Sequence, residues 1–158
     1  MSVYAIYQNK NYPVNIRGQV LRLKCVYKNN GFQELIDLAG NKHKDIFIKE
    51  VSLDDVELVY ELKINAIFKG KEFETYGVDT STLENNYILL FSKKYEDVNN
   101  YGFIKYEQFV YQKEAKLEDI DSLVEIKKPI LKWENQPESR KTIASNKIQE
   151  YLRTTKNA

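Results

Sequence analysis

The feature that most constrains this chain is that it repeats itself. Ala5-Ile6-Tyr7-Gln8-Asn9-Lys10-Asn11-Tyr12 aligns with Ala66-Ile67-Phe68-Lys69-Gly70-Lys71-Glu72-Phe73 at an offset of 61 residues. Further on, Lys49-Glu50-Val51-Ser52-Leu53-Asp54-Asp55-Val56 aligns with Lys113-Glu114-Ala115-Lys116-Leu117-Glu118-Asp119-Ile120 at an offset of 64. Glu61-Leu62-Lys63 and Glu125-Ile126-Lys127 continue that register. The second copy therefore carries a net insertion of three residues, and Gly31-Phe32 and Gly102-Phe103 are read as equivalent, with the extra length before them. Two matches in the same order at nearly the same spacing point to a duplication. A unit of about 60 residues is close to the lower limit for an independent core, so the join near Ile64-Asn65 is read as short. The expected organisation is repeat one over 1–64, repeat two over 65–131 and a helical tail over 132–158.

Within repeat one, Tyr4-Ala5-Ile6-Tyr7 and Tyr12-Pro13-Val14-Asn15-Ile16 read as two strands of a hairpin, with Tyr12, Val14 and Ile16 on one face at period two. Asn9 aligns with Gly70, and both residue types tolerate the left-handed backbone of a tight turn. In Val20–Tyr27 the residues Leu21, Leu23, Cys25 and Tyr27 share a face while Arg22 and Lys24 point to water; Tyr87–Phe91 is the counterpart. Asp45–Lys49 and Gln108–Gln112 follow as strands. Ser52 then caps a single helical turn in which Leu53 and Val56 meet at i,i+3 spacing, repeated by Leu117 and Ile120, before the last strands Leu58–Leu62 and Leu123–Ile126. The order resembles an SH3-like barrel. The expected fold is mainly β with some α, two tandem SH3-like small barrels with short helical turns and a C-terminal amphipathic helix. Lys94–Tyr101 adds a short helix ended by Gly102. Glu138–Arg153, with Ile143, Ile148, Tyr151 and Leu152 at helical spacing, is read as the terminal amphipathic helix.

Composition argues against most chemistries. Lys and Arg total 24 against 23 Asp and Glu, which leaves no global basic field for nucleic-acid phosphates. A single Cys excludes an internal disulfide, and a single His excludes any centre that needs two. No apolar run approaches the roughly 20 residues of a membrane span. The first ten residues lack the basic and apolar regions of a secretory signal, so the expected compartment is the cytoplasm. Cys25 lies on an apolar strand face and reads as inert packing. His43 lies between Lys42 and Lys44 in a polar connection and reads as a loop residue. The acid pairs Asp54-Asp55 and Glu118-Asp119 fall at equivalent repeat positions, which favours a helix N-terminal role over a metal or glycosidase dyad. No nucleotide-binding or hydrolase motif occurs. No catalytic residue, metal ligand or cofactor is expected, and the chain is read as a non-enzyme.

Charge is uneven. Residues 65–128 hold nine basic and twelve acidic side chains, a net of −3, while 1–64 carry +1 and 129–158 carry +3. Tyr95, Tyr101 and Tyr106 flank the irregular middle of repeat two, and surface Tyr brings large contact area with few rotatable bonds. The expected partner-binding residues are Glu84, Tyr95, Glu96, Asp97, Tyr101, Tyr106 and Glu107.

The run Ala66–Phe73, the strand Tyr87-Ile88-Leu89-Leu90, the helix at Tyr95-Glu96-Asp97, Tyr101-Gly102-Phe103 and the closing Ile126-Lys127-Lys128-Pro129-Ile130 together resemble small duplicated immunity proteins of Gram-positive polymorphic toxin systems. The resemblance covers residues 4–131 and carries no diagnostic motif. It implies a cytoplasmic protein that neutralises a cognate toxin domain by covering its active surface, with a basic nuclease as one candidate partner. The rival readings are a nucleic-acid-binding or regulatory adaptor built on SH3-like barrels, and an enzyme. Salt-dependent retention on RNA or DNA separates the first rival, and truncation of Cys25, His43 and the acid pairs separates the second.

Overall fold

The structure is a computed structural model that describes residues 2–154. The chain is mainly β and divides into two compact units, one of residues 2–62 with 128–138 and one of residues 63–127 with 139–154.

The first unit holds β1 (Ser2–Tyr7), β2 (Lys10–Arg17), β3 (Val20–Cys25), β4 (Gln33–Ile36) and β5 (Lys42–Ser52), then the start of β6 (Leu58–Phe68). Every pairing is antiparallel and the order runs β4-β5-β3-β2-β1-β6. The β1–β2 hairpin turns on Gln8 and Asn9, with φ of 50° and 64°. Two left-handed central residues match the right-handed twist of the flanking strands. Period-two burial follows the sequence: Leu21, Leu23 and Cys25 are buried and pack with Ala5, Tyr12, Val14, Val51, Val56 and Val59. Arg22, on the other face, donates to Glu50 directly across the β3–β5 pair at 3.0 Å. Ser52 caps a 3₁₀ turn over Leu53–Asp55: its hydroxyl accepts from the Asp54 N–H, and the Asp55 carboxylate accepts from the Ser52 N–H. This capping box satisfies orphan donors at the turn and aims the chain into β6.

The second unit takes the rest of β6, then β7 (Lys71–Thr75), α1 (Thr80–Asn85), β8 (Tyr87–Ser92), α2 (Glu96–Tyr101), β9 (Ile104–Glu107), β10 (Val110–Lys116), β11 (Ile120–Pro129) up to Lys127, β12 (Ser139–Ala144) and α3 (Ile148–Thr154). Its order runs β6-β7-β8-β10-β9, again antiparallel, with β12 on β11.

The registers of the two units correspond strand by strand. Ala5 faces Tyr12 as Ala66 faces Phe73. Leu21 faces Val51 as Ile88 faces Ala115, and Leu23 faces Lys49 as Leu90 faces Lys113. Gln33 faces Ile48 as Ile104 faces Gln112. Lys69 and Gly70 repeat the left-handed pair of the first hairpin, with φ of 50° and 79°. What the second unit adds is helical. Asp79 caps α1 between β7 and β8, where the first unit has a short turn, and α2 ends on Gly102 at φ 78°.

The tail departs from the expected helix over Glu138–Arg153. Residues 139–144 form β12, paired with β11 from Ser122–Ala144 to Lys127–Ser139, and only Ile148–Thr154 is α-helical. Ser139-Arg140-Lys141-Thr142-Ile143-Ala144 buries Ile143 alone, and β11 offers it a backbone ladder that outweighs helix propensity. Ile148 and Leu152 do share a buried helical face at i,i+4. Residues 155–158 of the expected tail lie outside the described residues. Among the described residues, no helix is long and apolar enough to cross a membrane.

Candidate functional site

Strands β8, β10 and β9 end the second unit's sheet, and one face of this edge is covered by exposed apolar side chains. Gln112 of β10 pairs directly with Phe91 of β8 and with Ile104 of β9, so all three project from the same face. Tyr76, just past β7, lays its ring 4.6 Å from that of Phe91 and accepts from Gln112 Nε2 at 3.4 Å. A β-bulge interrupts β9 after Ile104: Lys105 pairs with Tyr111 and Glu107 with Val110, which leaves Tyr106 as the extra, exposed residue of the strand. Tyr76 is 52% exposed, Ile104 69% and Tyr106 65%, which is far outside the usual burial of such residues. Glu74 stands opposite Phe91 on β7, and Glu114 stands opposite Leu89, so carboxylates rim the face.

The hairpin beyond it is unusual. Gln108-Phe109 forms the β9–β10 turn, and Phe109 takes a left-handed backbone at φ 63° with its side chain 70% exposed. Gly or Asn normally fills such a position, since a Cβ in this region is strained. The strain is not offset by burial of the ring. All four residues of β9, the terminal strand in the sheet order, are exposed. Such an edge presents unpaired backbone groups to an incoming chain.

The expected site residues scatter over this unit. Tyr106 and Glu107 belong to β9 and are exposed. Tyr95 is 66% exposed, but its ring meets Tyr111 edge-on at 5.9 Å, and Tyr111 is a neighbour of Gln112 in the strand and so projects from the opposite face. Tyr95 therefore lies on the face opposite Ile104 and Gln112. Glu96 is exposed on α2, and Glu84 is exposed on α1, which packs against α3 and β8.

Asp97 and Tyr101 turn inward. Asp97 is 1% exposed and accepts from Lys71 Nζ at 2.7 Å and from the Ser92 hydroxyl. A carboxylate so enclosed has no surface to offer a partner, which removes Asp97 from the expected set. Burial opposes its ionisation, yet the hydrogen bonds from Lys71 and Ser92 prevail and hold it below the usual carboxylate range. Tyr101 lays its ring edge-on to Phe73 at 5.1 Å, under the Lys71 ammonium at 5.3 Å from its centroid.

The residues that sequence reasoning missed are Tyr76, Ile104 and Phe109. Only Phe109 left a signal, as a bulky residue where the turn between two strands calls for Gly or Asn.

Elsewhere the reactive side chains are engaged. Cys25 is 5% exposed and donates to the Tyr27 carbonyl at 3.0 Å; burial pushes its thiol up, which keeps it protonated and unreactive. His43 Nε2 lies 3.1 Å from the Asp37 carboxylate. Among the described residues, no three His, Cys, Asp or Glu side chains converge as a metal ion requires.

Fold and face together define a mainly β protein of two units in common register, with an exposed aromatic edge on the second. The chain belongs to the family described as Uncharacterised conserved protein UCP033725, whose model matches residues 1–133. β12 and α3 lie beyond the matched residues. No curated protein and no solved structure gives a significant match.

Proposed function

We propose that the chain is a non-catalytic protein-binding module, an immunity protein that neutralises a cognate bacterial toxin in the cytoplasm by covering its active surface. The observation that carries this reading is the exposed apolar edge formed by Tyr76 and Ile104, with Tyr106 at the bulge of β9 and the strained, exposed Phe109 at the adjoining turn. Apolar side chains displayed together at a sheet edge fit a protein interface, where aromatic anchors supply most of the energy. The exposed Glu114 beside them and the net charge of −3 over residues 65–128 suit a basic partner such as a nuclease cleft, and would steer its approach. Each unit is proposed to be an SH3-like module; the antiparallel order and the 3₁₀ turn ahead of the last strand support that assignment.

The test is co-expression with the toxin encoded in the adjacent open reading frame. Growth should be rescued and the two proteins should co-purify. Ile104→Ala and Tyr106→Ala should each weaken the complex by about 2 kcal/mol, the range of interface anchors, with thermal stability unchanged. A purified pair that does not associate at micromolar concentration removes the reading. Retention on RNA or DNA that falls with salt would move the protein to the nucleic-acid class.

A further inference from the structure

The first unit contains a cleft of about 230 Å³ walled by the β1–β2 turn, the β3–β4 loop and β5. Lys10 and Lys49 line it, with Tyr12, Asn29, Asn30 and the backbone of Gly31. Neither lysine forms an ion pair among the described residues. Lys49 rests over the Tyr7 ring at 5.3 Å, and Asn29 Nδ2 donates to the Tyr12 hydroxyl at 2.8 Å. Two ammonium groups, amide donors and no acid make this a recess with an unanswered positive charge.

The second unit shows what belongs there. Lys10 faces Tyr7 across its hairpin as Lys71 faces Phe68, and Lys49 faces Leu23 as Lys113 faces Leu90. Cys25 faces Phe47 as Ser92 faces Tyr111. The Tyr12 and Phe32 rings lie 5.2 Å apart, and those of Phe73 and Phe103 lie 4.9 Å apart. Gly31 and Gly102 share a left-handed backbone, at φ 83° and 78°, and each keeps its Cα open to a lysine: a Cβ would stand 2.8 Å from Lys49 Nζ in one and 3.3 Å from Lys113 Nζ in the other. In the second unit this framework encloses the Asp97 carboxylate, held by Lys71 and Ser92. Asp97 arrives on α2, which lies in the nine residues between Ser92 and Gly102. The matching stretch of the first unit, Val26-Tyr27-Lys28-Asn29-Asn30, is four residues shorter and contains no acid.

We infer that the cleft of the first unit is a carboxylate-binding site, which takes from outside the chain the group that the second unit supplies from Asp97. Lys10 holds the position of Lys71 as the principal cation, and Lys49 and the Asn29 and Asn30 amides offer further donors. This site is separate from the aromatic edge and does not depend on the immunity reading.

The experiment follows backbone amide resonances of the full chain during titration with sodium acetate, against sodium chloride at equal ionic strength. Acetate should produce saturable shifts at Asn29, Asn30 and Gly31 that chloride does not reproduce. The shifts should vanish in the Lys10→Met, Lys49→Met double variant and persist with Lys10→Arg. Independently of that variant's folding, Asp97→Ala empties the corresponding place in the second unit, and acetate should raise its melting temperature more than that of the unmodified chain. Equal responses to acetate and chloride, shifts that survive loss of both lysines, or no acetate-specific rescue of Asp97→Ala would each overturn the inference. A blocked Gly-Asp-Gly peptide separates the sources. Binding at least tenfold tighter than acetate assigns the carboxylate to a protein side chain, and equal binding assigns it to a free small acid; both support the site.

Discussion

Lys71 Nζ donates to Asp97 Oδ1 at 2.7 Å, and the carboxylate that receives it is 1% exposed while the lysine side chain stays 32% exposed. The contact ties β7 to α2, and the Ser92 hydroxyl of β8 completes it. Asp97→Ala removes a charged acceptor and leaves two donors facing a void. It should destabilise the protein by about 2 kcal/mol, the usual range for hydrogen bonds to charged groups. Urea unfolding of the full chain measures this; a loss within experimental error would mean that α2 is held by Tyr101 and Phe103 alone.

The same pair sets a pH dependence with two signs. Asp97 is depressed in the folded state, so its contribution is present above the unfolded value of about 3.9 and is lost as pH falls through the lower folded value. Lys71 is raised by its hydrogen bond to Asp97, so its contribution is complete below the unfolded value of about 10.4 and is lost as pH rises through the folded one. Glu72 and Asp37 are also depressed and add to the acid limb. The stability gap between the unmodified chain and Asp97→Ala isolates the pair. It should be flat from about pH 5 to 9 and close at both extremes. A gap that widens on acidification would contradict the assignment.

Much of the fold was legible because it is local or repeated. Offsets of 61 and 64 anticipated the matching registers, Asn9 and Gly70 marked the two left-handed turns, Ser52 marked its cap and Gly102 the end of α2. Asp97 was not legible. In sequence it is one of two acids opening a short helix, a pattern that reads as a solvated terminus. Its burial depends on Lys71, 26 residues away, and on Ser92. The strand at 139–144 was hidden for a related reason, since Ile143 fits a helical spacing with Ile148 and Leu152 until β11 supplies a ladder. The exposed face follows from cross-strand register between β8, β10 and β9, which no single segment encodes.

Gly31 and Gly102 test the equivalence of the two units. Both lie in the left-handed region, so Ala at either should cost about 1–2 kcal/mol in backbone strain. The Cβ of Gly31→Ala also meets Lys49 Nζ, the flexible end of a side chain that can swing aside. The stability losses should therefore be similar, as read by thermal unfolding. Acetate-dependent shifts at Asn29 and Asn30 should weaken in Gly31→Ala and stay unchanged in Gly102→Ala. Weakening by both variants to the same extent would show a general loosening in place of a local displacement.

Phe109 offers the sharpest separation of stability from recognition. Its left-handed backbone strains a bulky residue, and a ring 70% exposed regains little through burial. Asn tolerates that conformation, so Phe109→Asn should stabilise the hairpin by about 0.5–1 kcal/mol and raise the melting temperature by about 1–4 °C. If the ring is displayed to grip a partner, the same substitution should weaken association with the cognate toxin at least tenfold while the unbound protein becomes more stable. Gain of stability with lost binding is the mark of a strained residue kept for contact. A destabilised Phe109→Asn would show that the ring packs on its own hairpin, and a stabilised variant with unchanged affinity would place the interface away from the β9–β10 turn.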